Sequence, residues 1–179
     1  KALHAAAKLN GTGEVIACDV SSHKTDKIDE NCARLGLENV SIRVRDARVR
    51  DASLTEKADV LLADVPCSGF GVIGHKQDIK YRVTNESLTE LQTLQKDIIT
   101  NVINYIKPGG ILMYSTCTMN PGENEEMAAW ICETFGLEPV SMEDRLPAVL
   151  AKEAKQGMLQ LLPGVHETDG FFLAKLRKK

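Results

Sequence analysis

The chain has 179 residues and a net charge of −3, with 43% hydrophobic and 26% charged residues. This length suits one globular domain, and no apolar run approaches the roughly 20 residues needed to cross a membrane. The acidic balance argues against a chain that binds nucleic acid tightly by itself, because phosphate binding needs local positive charge. The N-terminal segment has no apolar core long enough for a signal peptide, so we expect a cytoplasmic protein.

Cysteine and histidine spacing argues against a disulfide-stabilised protein and against a metal-binding protein. The five cysteines are odd in number and include no CxxC pair, which favours free thiols over a disulfide framework. The four histidines are scattered without the spacing of metal ligands, so we predict no metal site.

Helical and strand patterns alternate along the chain, which predicts an α/β architecture with a mainly parallel sheet. Residues 2–9 predict a helix, and 14–19 a short buried strand. Two serines are placed to cap a helix over 22–35. The alternating segment 40–46 predicts a strand near a sheet edge. Residues 59–64 are mostly apolar, which predicts a central strand covered on both faces.

Seven more elements complete the prediction. In chain order they are a loop over 65–85, a helix over 86–106, a turn over 107–110, a central strand over 111–116, a helix start at Asn120-Pro121, and an antiparallel strand pair over 158–163 and 170–176. In nucleotide-binding α/β folds a strand and a Gly-rich turn precede the first helix. Here the helix begins at once, so we expect a single domain over 1–179 that lacks that first strand.

Three aspartates follow successive predicted strands, namely Asp19, Asp46 and Asp64. Ligands of open parallel sheets bind outside the carboxyl edge, where such side chains meet. Turns favour aspartate in any case, so each one alone has an ordinary structural explanation. Three in series at one edge favour a binding site.

Two cysteines, Cys67 and Cys117, each follow a predicted central strand among polar turn residues. A free cysteine is usually a small buried apolar residue, and that interpretation suits the other three, Cys18, Cys32 and Cys132. It suits Cys67 and Cys117 less well. Thiolates are strong nucleophiles, so two cysteines and an acid at one sheet edge suggest covalent catalysis.

Several short motifs now identify a resemblance that covers nearly the whole chain. The motifs are DVPCS (64–68), GV (71–72), DIK (78–80), PGG (108–110), STCT (115–118), ENE (123–125), LLP (161–163) and DGFF (169–172). With them the chain resembles the Nop/Sun family of RNA cytosine-5-methyltransferases, and within it the bacterial enzymes that act on small-subunit ribosomal RNA. The pairing of the DVPCS turn with the later TC turn is the specific part.

The resemblance implies a Rossmann-like sheet of the class I S-adenosylmethionine-dependent methyltransferases, mostly parallel with a C-terminal antiparallel strand pair. Lys1 matches the lysine that ends a Gly-rich cofactor loop. Asp19 would hold the ribose of S-adenosylmethionine, Asp46 would lie by the adenine, and Asp64 would line the methyl-transfer site.

The family's chemistry assigns different roles to the two cysteines. Cys117 would attack carbon 6 of cytosine, so that carbon 5 can accept the methyl group. Asp64 would bond the ring near nitrogen 3, and Cys67 would assist release of the product. The target base must be unstacked, which favours single-stranded or loop RNA. Lys80 and Arg82 lie in the loop after Cys67 and are our candidates for RNA contacts.

The sequence departs from the family pattern in three places. Val65 replaces a usual alanine, residues 75–77 are less arginine-rich than usual, and the cofactor loop and an N-terminal RNA-binding domain are absent. We therefore expect the 179-residue chain alone to bind cofactor weakly and to be inactive.

Four alternatives stay open at this point. A transfer RNA cytosine-5-methyltransferase fits the motifs, and so does an inert fragment of such an enzyme. A non-catalytic relative is the third, but the presence of Cys117, Cys67 and Asp64 argues against it. A nicotinamide-dependent oxidoreductase would explain Asp19 but would leave both Cys67 and Cys117 unused. A cysteine hydrolase is disfavoured because no histidine lies beside either cysteine in the sequence.

Overall fold

The structure is a computed structural model that describes residues 1–179. The chain divides into two compact units, Lys1–Arg50 and Asp51–Lys179, which are described one at a time. None of its helices combines the length and the apolar composition needed to traverse a lipid bilayer.

The first unit contains two helices and a two-stranded parallel sheet. Its elements are α1 (Ala2–Leu9), β1 (Val15–Asp19), α2 (Ser22–Leu35) and β2 (Val40–Val44). The predicted bounds of both helices are confirmed. Helix α2 ends where predicted because Gly36 takes a left-handed conformation, φ 64°, which glycine adopts without steric cost.

Two details of the first unit differ from the prediction. Strand β1 is not buried: only Ala17 is inaccessible, while Ile16 and Cys18 are exposed, because β1 is paired on one side only. The Ser21 side chain does not cap α2. Its backbone amide instead donates to Asp19 Oδ1 at 2.9 Å, which fixes the end of β1 to the start of the helix.

The second unit is built on a mixed sheet of five strands in the order β3-β4-β7-β5, with β6 paired to β7. The strands are β3 (Ala58–Asp64), β4 (Ile106–Thr116), β5 (Glu138–Pro139), β6 (Met158–Leu161) and β7 (Phe171–Arg177). Strands β3 and β4 are parallel, whereas β7 is antiparallel to β4 and to β6. The predicted antiparallel C-terminal pair is therefore confirmed.

Four helices accompany this sheet, and two of them contribute to its core. They are α3 (Ile79–Arg82), α4 (Asn85–Val102), α5 (Glu125–Phe135) and α6 (Ala148–Ala151). Ile99 of α4 and Ile131 of α5 are fully buried with Leu112, Tyr114 and Phe172 of the sheet. The core thus lies under β4 and β7, the two strands with neighbours on both sides.

Strand β3 is not the covered central strand that its composition predicts. Within its unit it pairs with β4 on one side only, so it lies at the edge of the sheet. Val60 and Leu62, which share one face of the strand, are 55% and 45% exposed, whereas Ala63 on the other face is buried. The prediction of a central position is correct for 111–116, which β3 and β7 flank.

Three boundaries in the second unit also differ from the prediction. The loop over 65–85 contains the short helix α3. The helix expected over 86–106 ends at Val102, and its buried residues are Gln95, Ile99 and Val102. The expected turn over 107–110 lies inside β4 as an irregularity of its pairing with β3.

Candidate active site

Two turns meet at the carboxyl edge of the paired strands β3 and β4. Asp64 lies opposite Ser115 in the parallel register. Cys67 follows Asp64 by three residues and Cys117 follows Ser115 by two, so both turns leave the sheet at the same place. Their Sγ atoms lie 3.4 Å apart, and the Cys117 amide donates to Cys67 Sγ at 3.4 Å.

The contact makes the two thiols electrostatically different. A hydrogen bond from Cys67 lowers the pKa of Cys117 to about 6, with help from its own backbone amide and the charge of Lys76. Partial burial and the nearby Asp64 carboxylate oppose that shift. The pKa of Cys67 is raised, first by its bond to Cys117 and then by burial. Cys117 is therefore the thiolate at neutral pH and Cys67 the thiol that stabilises it.

Asp64 contributes an exposed carboxylate to the same edge. Its Oδ1 accepts a hydrogen bond from Ser115 Oγ at 3.2 Å, so the neighbouring strand orients it. The predicted meeting of Asp64, Cys67 and Cys117 at one edge is confirmed by this register and by the thiol contact.

A buried carboxylate, Glu123, holds the two turns together. It is fully inaccessible and accepts four hydrogen bonds. The donors are the Ser68 amide at 2.9 Å, Ser68 Oγ at 2.6 Å, Gln95 Nε2 at 2.9 Å and Asn120 Nδ2 at 3.0 Å. Four donors compensate for the loss of water around a buried negative charge. Glu123 thus fixes the residue that follows Cys67.

In the sequence, Glu123 stands out only as the first residue of the ENE motif. It lies in a 3₁₀ turn over Pro121–Glu123, which the Asn120 side chain caps. The signal that could have found it is its position in the ENE motif, six residues after Cys117. Nothing in that motif indicates that its partner is Ser68, 55 residues away.

Asn124, the next residue, is equally buried and holds the turn that carries Cys117. Its side chain accepts from Thr116 Oγ1 at 2.6 Å and donates to the Thr118 carbonyl at 3.0 Å, so it bridges the residues on either side of Cys117. It also donates to Gln160 Oε1 of β6 at 2.7 Å. The Cys117 thiol is therefore held in place by Asn124, by Gln160 of β6 through Asn124, and by contact with Cys67.

Two glycines allow a close backbone approach behind Cys117. The Gly71 amide donates to the Cys117 carbonyl at 3.0 Å, and the Gly170 amide donates to the Gly71 carbonyl at 2.8 Å. A Cβ atom on Gly71 would lie 2.1 Å from the Gly170 carbonyl oxygen. Only glycine fits there, which explains why the GV and DGFF motifs occur together with the TC turn.

A cleft of about 450 Å³ opens beside Cys67. Its walls come from α3, α4 and the Cys67 turn, and its lining includes Ile79, Arg82, Leu91 and Leu94. Arg82 forms an ion pair with Asp78 at this rim. Of the two predicted RNA contacts, Arg82 lines the cleft, whereas Lys80 lies outside it with its Nζ 4.8 Å from the Tyr81 ring centroid.

Comparison with known proteins identifies the family. A sequence profile described as 16S rRNA methyltransferase RsmB/F matches residues 1–177. The chain belongs to this family. The resemblance inferred from the motifs is therefore confirmed over almost the whole chain.

The curated relatives of the family are longer than this chain. The probable ribosomal RNA small subunit methyltransferase B of Bacillus subtilis is 40% identical over 182 residues, which cover 100% of this chain and 41% of the relative. Ribosomal RNA small subunit methyltransferase F of Pectobacterium atrosepticum is 34% identical over 180 residues, 99% of this chain and 37% of the relative. The chain thus spans about two fifths of their length.

A solved structure with the same fold gives the same assignment. The crystal structure of NSun6 from Pyrococcus horikoshii with SFG superposes with a TM-score of 0.79 at 30% identity, and covers 98% of this chain and 44% of that one. The predicted α/β fold of the Rossmann-like S-adenosylmethionine-dependent methyltransferases is confirmed. A more distant S-adenosylmethionine-dependent methyltransferase from Aquifex aeolicus, at 14% identity and a TM-score of 0.57, shares the fold alone.

The predicted cofactor residues other than Asp64 lie in the first unit. Asp19 ends β1, is half-buried, and also forms an ion pair with Lys24 at 3.4 Å. Asp46 follows β2, and hydrogen bonds from the Arg48 side chain and backbone lower its pKa to about 2. Lys1 is exposed and immediately precedes α1.

The other three cysteines differ from one another in burial. Cys32 is buried and Cys132 half-buried, as expected for small apolar residues, and burial raises the pKa of both thiols. Cys18 is exposed, so the expectation that it is buried is wrong. Alternating side chains point to opposite faces of a strand, and Cys18 follows the buried Ala17. No group of three or more potential ligands is arranged to hold a metal ion.

Proposed function

We propose that this chain carries the methyl-transfer site of an enzyme that methylates carbon 5 of a cytosine in small-subunit ribosomal RNA. The observation that carries the proposal is the 3.4 Å contact between the Cys117 and Cys67 thiols at the sheet edge that bears Asp64. The family description, 16S rRNA methyltransferase, supports the substrate class. Carbon 5 is the target that explains a nucleophilic cysteine.

Cys117 is the proposed nucleophile. Its thiolate forms a bond to carbon 6, and the electron pair of the carbon 5–carbon 6 double bond moves into the ring, which makes carbon 5 nucleophilic. The lowered pKa of Cys117 supplies the thiolate at neutral pH without a separate general base. Asp64, oriented by its bond from Ser115, would bond the ring near nitrogen 3 and stabilise the adduct.

Cys67 is the proposed release residue, and it begins and ends the cycle as a thiol. Once Cys117 is a thioether, the charge that opposed ionisation of Cys67 is gone, and its proton can pass to solvent. The Cys67 thiolate then takes the proton of carbon 5. The carbon 5–carbon 6 double bond reforms, the bond from carbon 6 to sulfur breaks, and the renewed Cys67 thiol stabilises the departing Cys117 thiolate across 3.4 Å.

S-adenosylmethionine is the proposed cofactor and, when bound, supplies the methyl group as an electrophile. Asp19 fits a ribose contact, because the Ser21 amide bonds Oδ1 and the exposed Lys24 pairs with Oδ2 only at 3.4 Å, which leaves lone pairs for hydroxyl donors. Asp46 fits less well, since Arg48 already engages both of its oxygens and would have to move to admit a contact with adenine. We propose Lys1 and Asp64 as further contacts of the cofactor.

RNA binding is proposed for the rim of the cleft beside Cys67. Arg82 borders this cleft, while Lys76 and Lys80 are exposed on the same segment. Their positive charges can neutralise phosphates on either side of an unstacked cytosine. We propose that Arg82 contributes more than Lys80, because Arg82 borders the thiol-containing cleft directly.

The test is covalent trapping on RNA that contains 5-fluorocytidine. The protein, extended by the upstream cofactor loop, is incubated with S-adenosylmethionine and the RNA, and adducts are resolved on denaturing gels. Fluorine cannot leave as a proton does, so wild type and Cys67→Ala should accumulate an adduct and Cys117→Ala should not. Cys132→Ala is the matched control and should trap like wild type.

Each contrary result has a definite meaning. Trapping by Cys117→Ala would make Cys67 the nucleophile. Absence of trapping in every variant would overturn the methyltransferase proposal. A parallel arm with transfer RNA separates the two substrate classes, and trapping on transfer RNA alone would reject ribosomal RNA.

We further propose that the 179-residue chain by itself binds S-adenosylmethionine weakly. Titration calorimetry on the chain with and without the upstream loop checks this. Micromolar affinity of the chain alone would contradict it.

A further inference from the structure

The two thiols of the site are placed as reaction partners for one another. Their sulfur atoms are 3.4 Å apart, and a disulfide requires about 2.05 Å, so a small movement of the two turns would join them. Neither sulfur is fully buried, and the cleft beside Cys67 admits small molecules. Both residues lie on turns outside the sheet, where such a movement does not disturb strand pairing.

The electrostatics of the pair match the needs of thiol oxidation. Peroxides react with thiolates, and the pKa of Cys117 is lowered to about 6. A second thiol within reach resolves the first oxidation product before it oxidises further. Cys67 occupies that place, because its sulfur lies 3.4 Å from the Cys117 sulfur.

We propose that Cys67 and Cys117 are a reversible oxidation site, at which a peroxide converts the pair to an intramolecular disulfide and a thiol reductant restores it. The Cys117 thiolate attacks one peroxide oxygen, the oxygen–oxygen bond breaks, and a sulfenic acid forms, while the departing hydroxide takes from solvent the proton that Cys117 lost on ionisation. The Cys67 sulfur then attacks the Cys117 sulfur, and the sulfur–oxygen bond breaks. The departing hydroxide takes the Cys67 proton, so two thiols are oxidised and hydrogen peroxide is reduced to two waters.

The surrounding contacts favour this product over linkage to another cysteine. Glu123 holds the residue after Cys67, and Asn124 holds the residues on both sides of Cys117. These bonds keep the two sulfurs facing one another when the site is empty. A bound cytosine would occupy Cys117, so substrate should protect the pair from oxidation.

The consequence for activity rests on the proposed function: the disulfide would remove the nucleophile and the release residue together. It would also keep Cys117 from the irreversible sulfinic acid, because a disulfide can be reduced again. The oxidation chemistry itself does not depend on that function, which allows the two to be tested separately.

The experiment treats the reduced protein with a small excess of hydrogen peroxide near pH 6. Thiols are then counted in denaturant, and peptides are mapped by mass spectrometry. We expect the count to fall from the five cysteines to three, with the Cys67 and Cys117 peptides linked and dithiothreitol restoring all five. Cys67→Ser should give a sulfenic acid on Cys117 that dimedone captures, and Cys132→Ser should behave like wild type.

Three results would overturn the inference: no loss of thiols, linkage to a different cysteine, or sulfinic acid on Cys117 with Cys67 unmodified. Trapping on 5-fluorocytidine RNA before and after oxidation provides the second measurement. If the disulfide forms but the reduced protein never traps RNA, the proposed function fails and the oxidation site stands. If the reduced protein traps RNA and the peroxide-treated protein traps it equally well, the oxidation site fails.

Discussion

The two units of the chain organise their charged and reactive side chains in different ways. In the first unit, Asp19 and Asp46 are engaged by residues within five positions along the sequence. In the second unit, the Cys67 and Cys117 turns contact each other across 50 positions, and Glu123 bonds Ser68 across 55. The buried residues of the first unit, moreover, are few and small.

This difference shows where the geometry of the site comes from. Local ion pairs such as Asp46 with Arg48 are largely exposed and contribute little to stability. Long-range bonds to the buried Glu123 and Asn124 form only when the second unit is folded, and they are strengthened by exclusion of water. The arrangement of the thiol pair therefore depends on the tertiary structure, whereas the carboxylates of the first unit are positioned by residues nearby in the sequence.

The largest expected contrast between the units is in backbone opening. We expect amides of β1 and β2 to exchange with deuterium about a thousandfold faster than those of β4, equivalent to about 4 kcal/mol in opening free energy. The cause is that Leu112 and Tyr114 are fully buried in a strand paired on both sides. Residue-resolved hydrogen exchange measures it, and equal protection would break the comparison.

The next largest effect is expected for Gly71→Ala. The new Cβ would meet the Gly170 carbonyl at 2.1 Å, so the backbone behind Cys117 must move, at a cost of about 3 kcal/mol in unfolding free energy. Urea denaturation of the second unit measures the loss. Gly74→Ala is the matched control, because nothing lies within 4 Å of a Cβ there. Equal stability of both variants would show that the turn tolerates the change.

For Glu123→Gln we expect a smaller loss of unfolding free energy, about 2 kcal/mol. An amide in place of the carboxylate turns one acceptor into a donor facing Ser68 or Gln95, so a buried donor is left unpaired. Glu125→Gln, on the exposed start of α5, is the control and should be neutral. Because Ser68 follows Cys67, the variant should also slow alkylation of Cys117 at pH 6. Loss of stability without that change would limit Glu123 to a structural role.

The smallest effect concerns the thiol pair itself. Alkylation of Cys117 by iodoacetamide should rise with pH through a midpoint near 6 and stay level above it, because the thiolate reacts. In Cys67→Ala the midpoint should move up toward that of an ordinary thiol. The rate at pH 6 should then fall about tenfold, since loss of thiolate outweighs the greater nucleophilicity of a more basic sulfur. An unchanged midpoint would mean that Cys67 does not stabilise the thiolate.

Much of the fold could be predicted because its signals are local. Helices α1 and α2 have the predicted bounds, since their stop signals lie in the adjacent residues, as Gly36 illustrates. The parallel pairing of β3 and β4 follows from the alternation of strands and helices, and it brings Cys67 and Cys117 to one edge. The resemblance supplied their separate roles, which remain a proposal.

Other features could not be predicted, because they depend on what packs against each face of a strand. Residues 59–64 have the composition of a covered strand, yet Val60 and Leu62 on one face of β3 are exposed, while Ala63 on the other face is buried. Composition indicates the burial that a strand tolerates, and only the elements packed on its two faces decide the burial it obtains.

The amino-acid sequence determines that reactive thiols follow two parallel strands, because strand direction and turn position are set by nearby residues. Tertiary structure decides that one thiol is a thiolate and the other its hydrogen-bond donor. That distinction needs a sulfur contact of 3.4 Å across 50 positions, a buried Glu123 that bonds Ser68 across 55 positions, and a Gly71 with no side chain. Electrostatic differences between identical side chains arise from such contacts, and no local pattern in the chain encodes them.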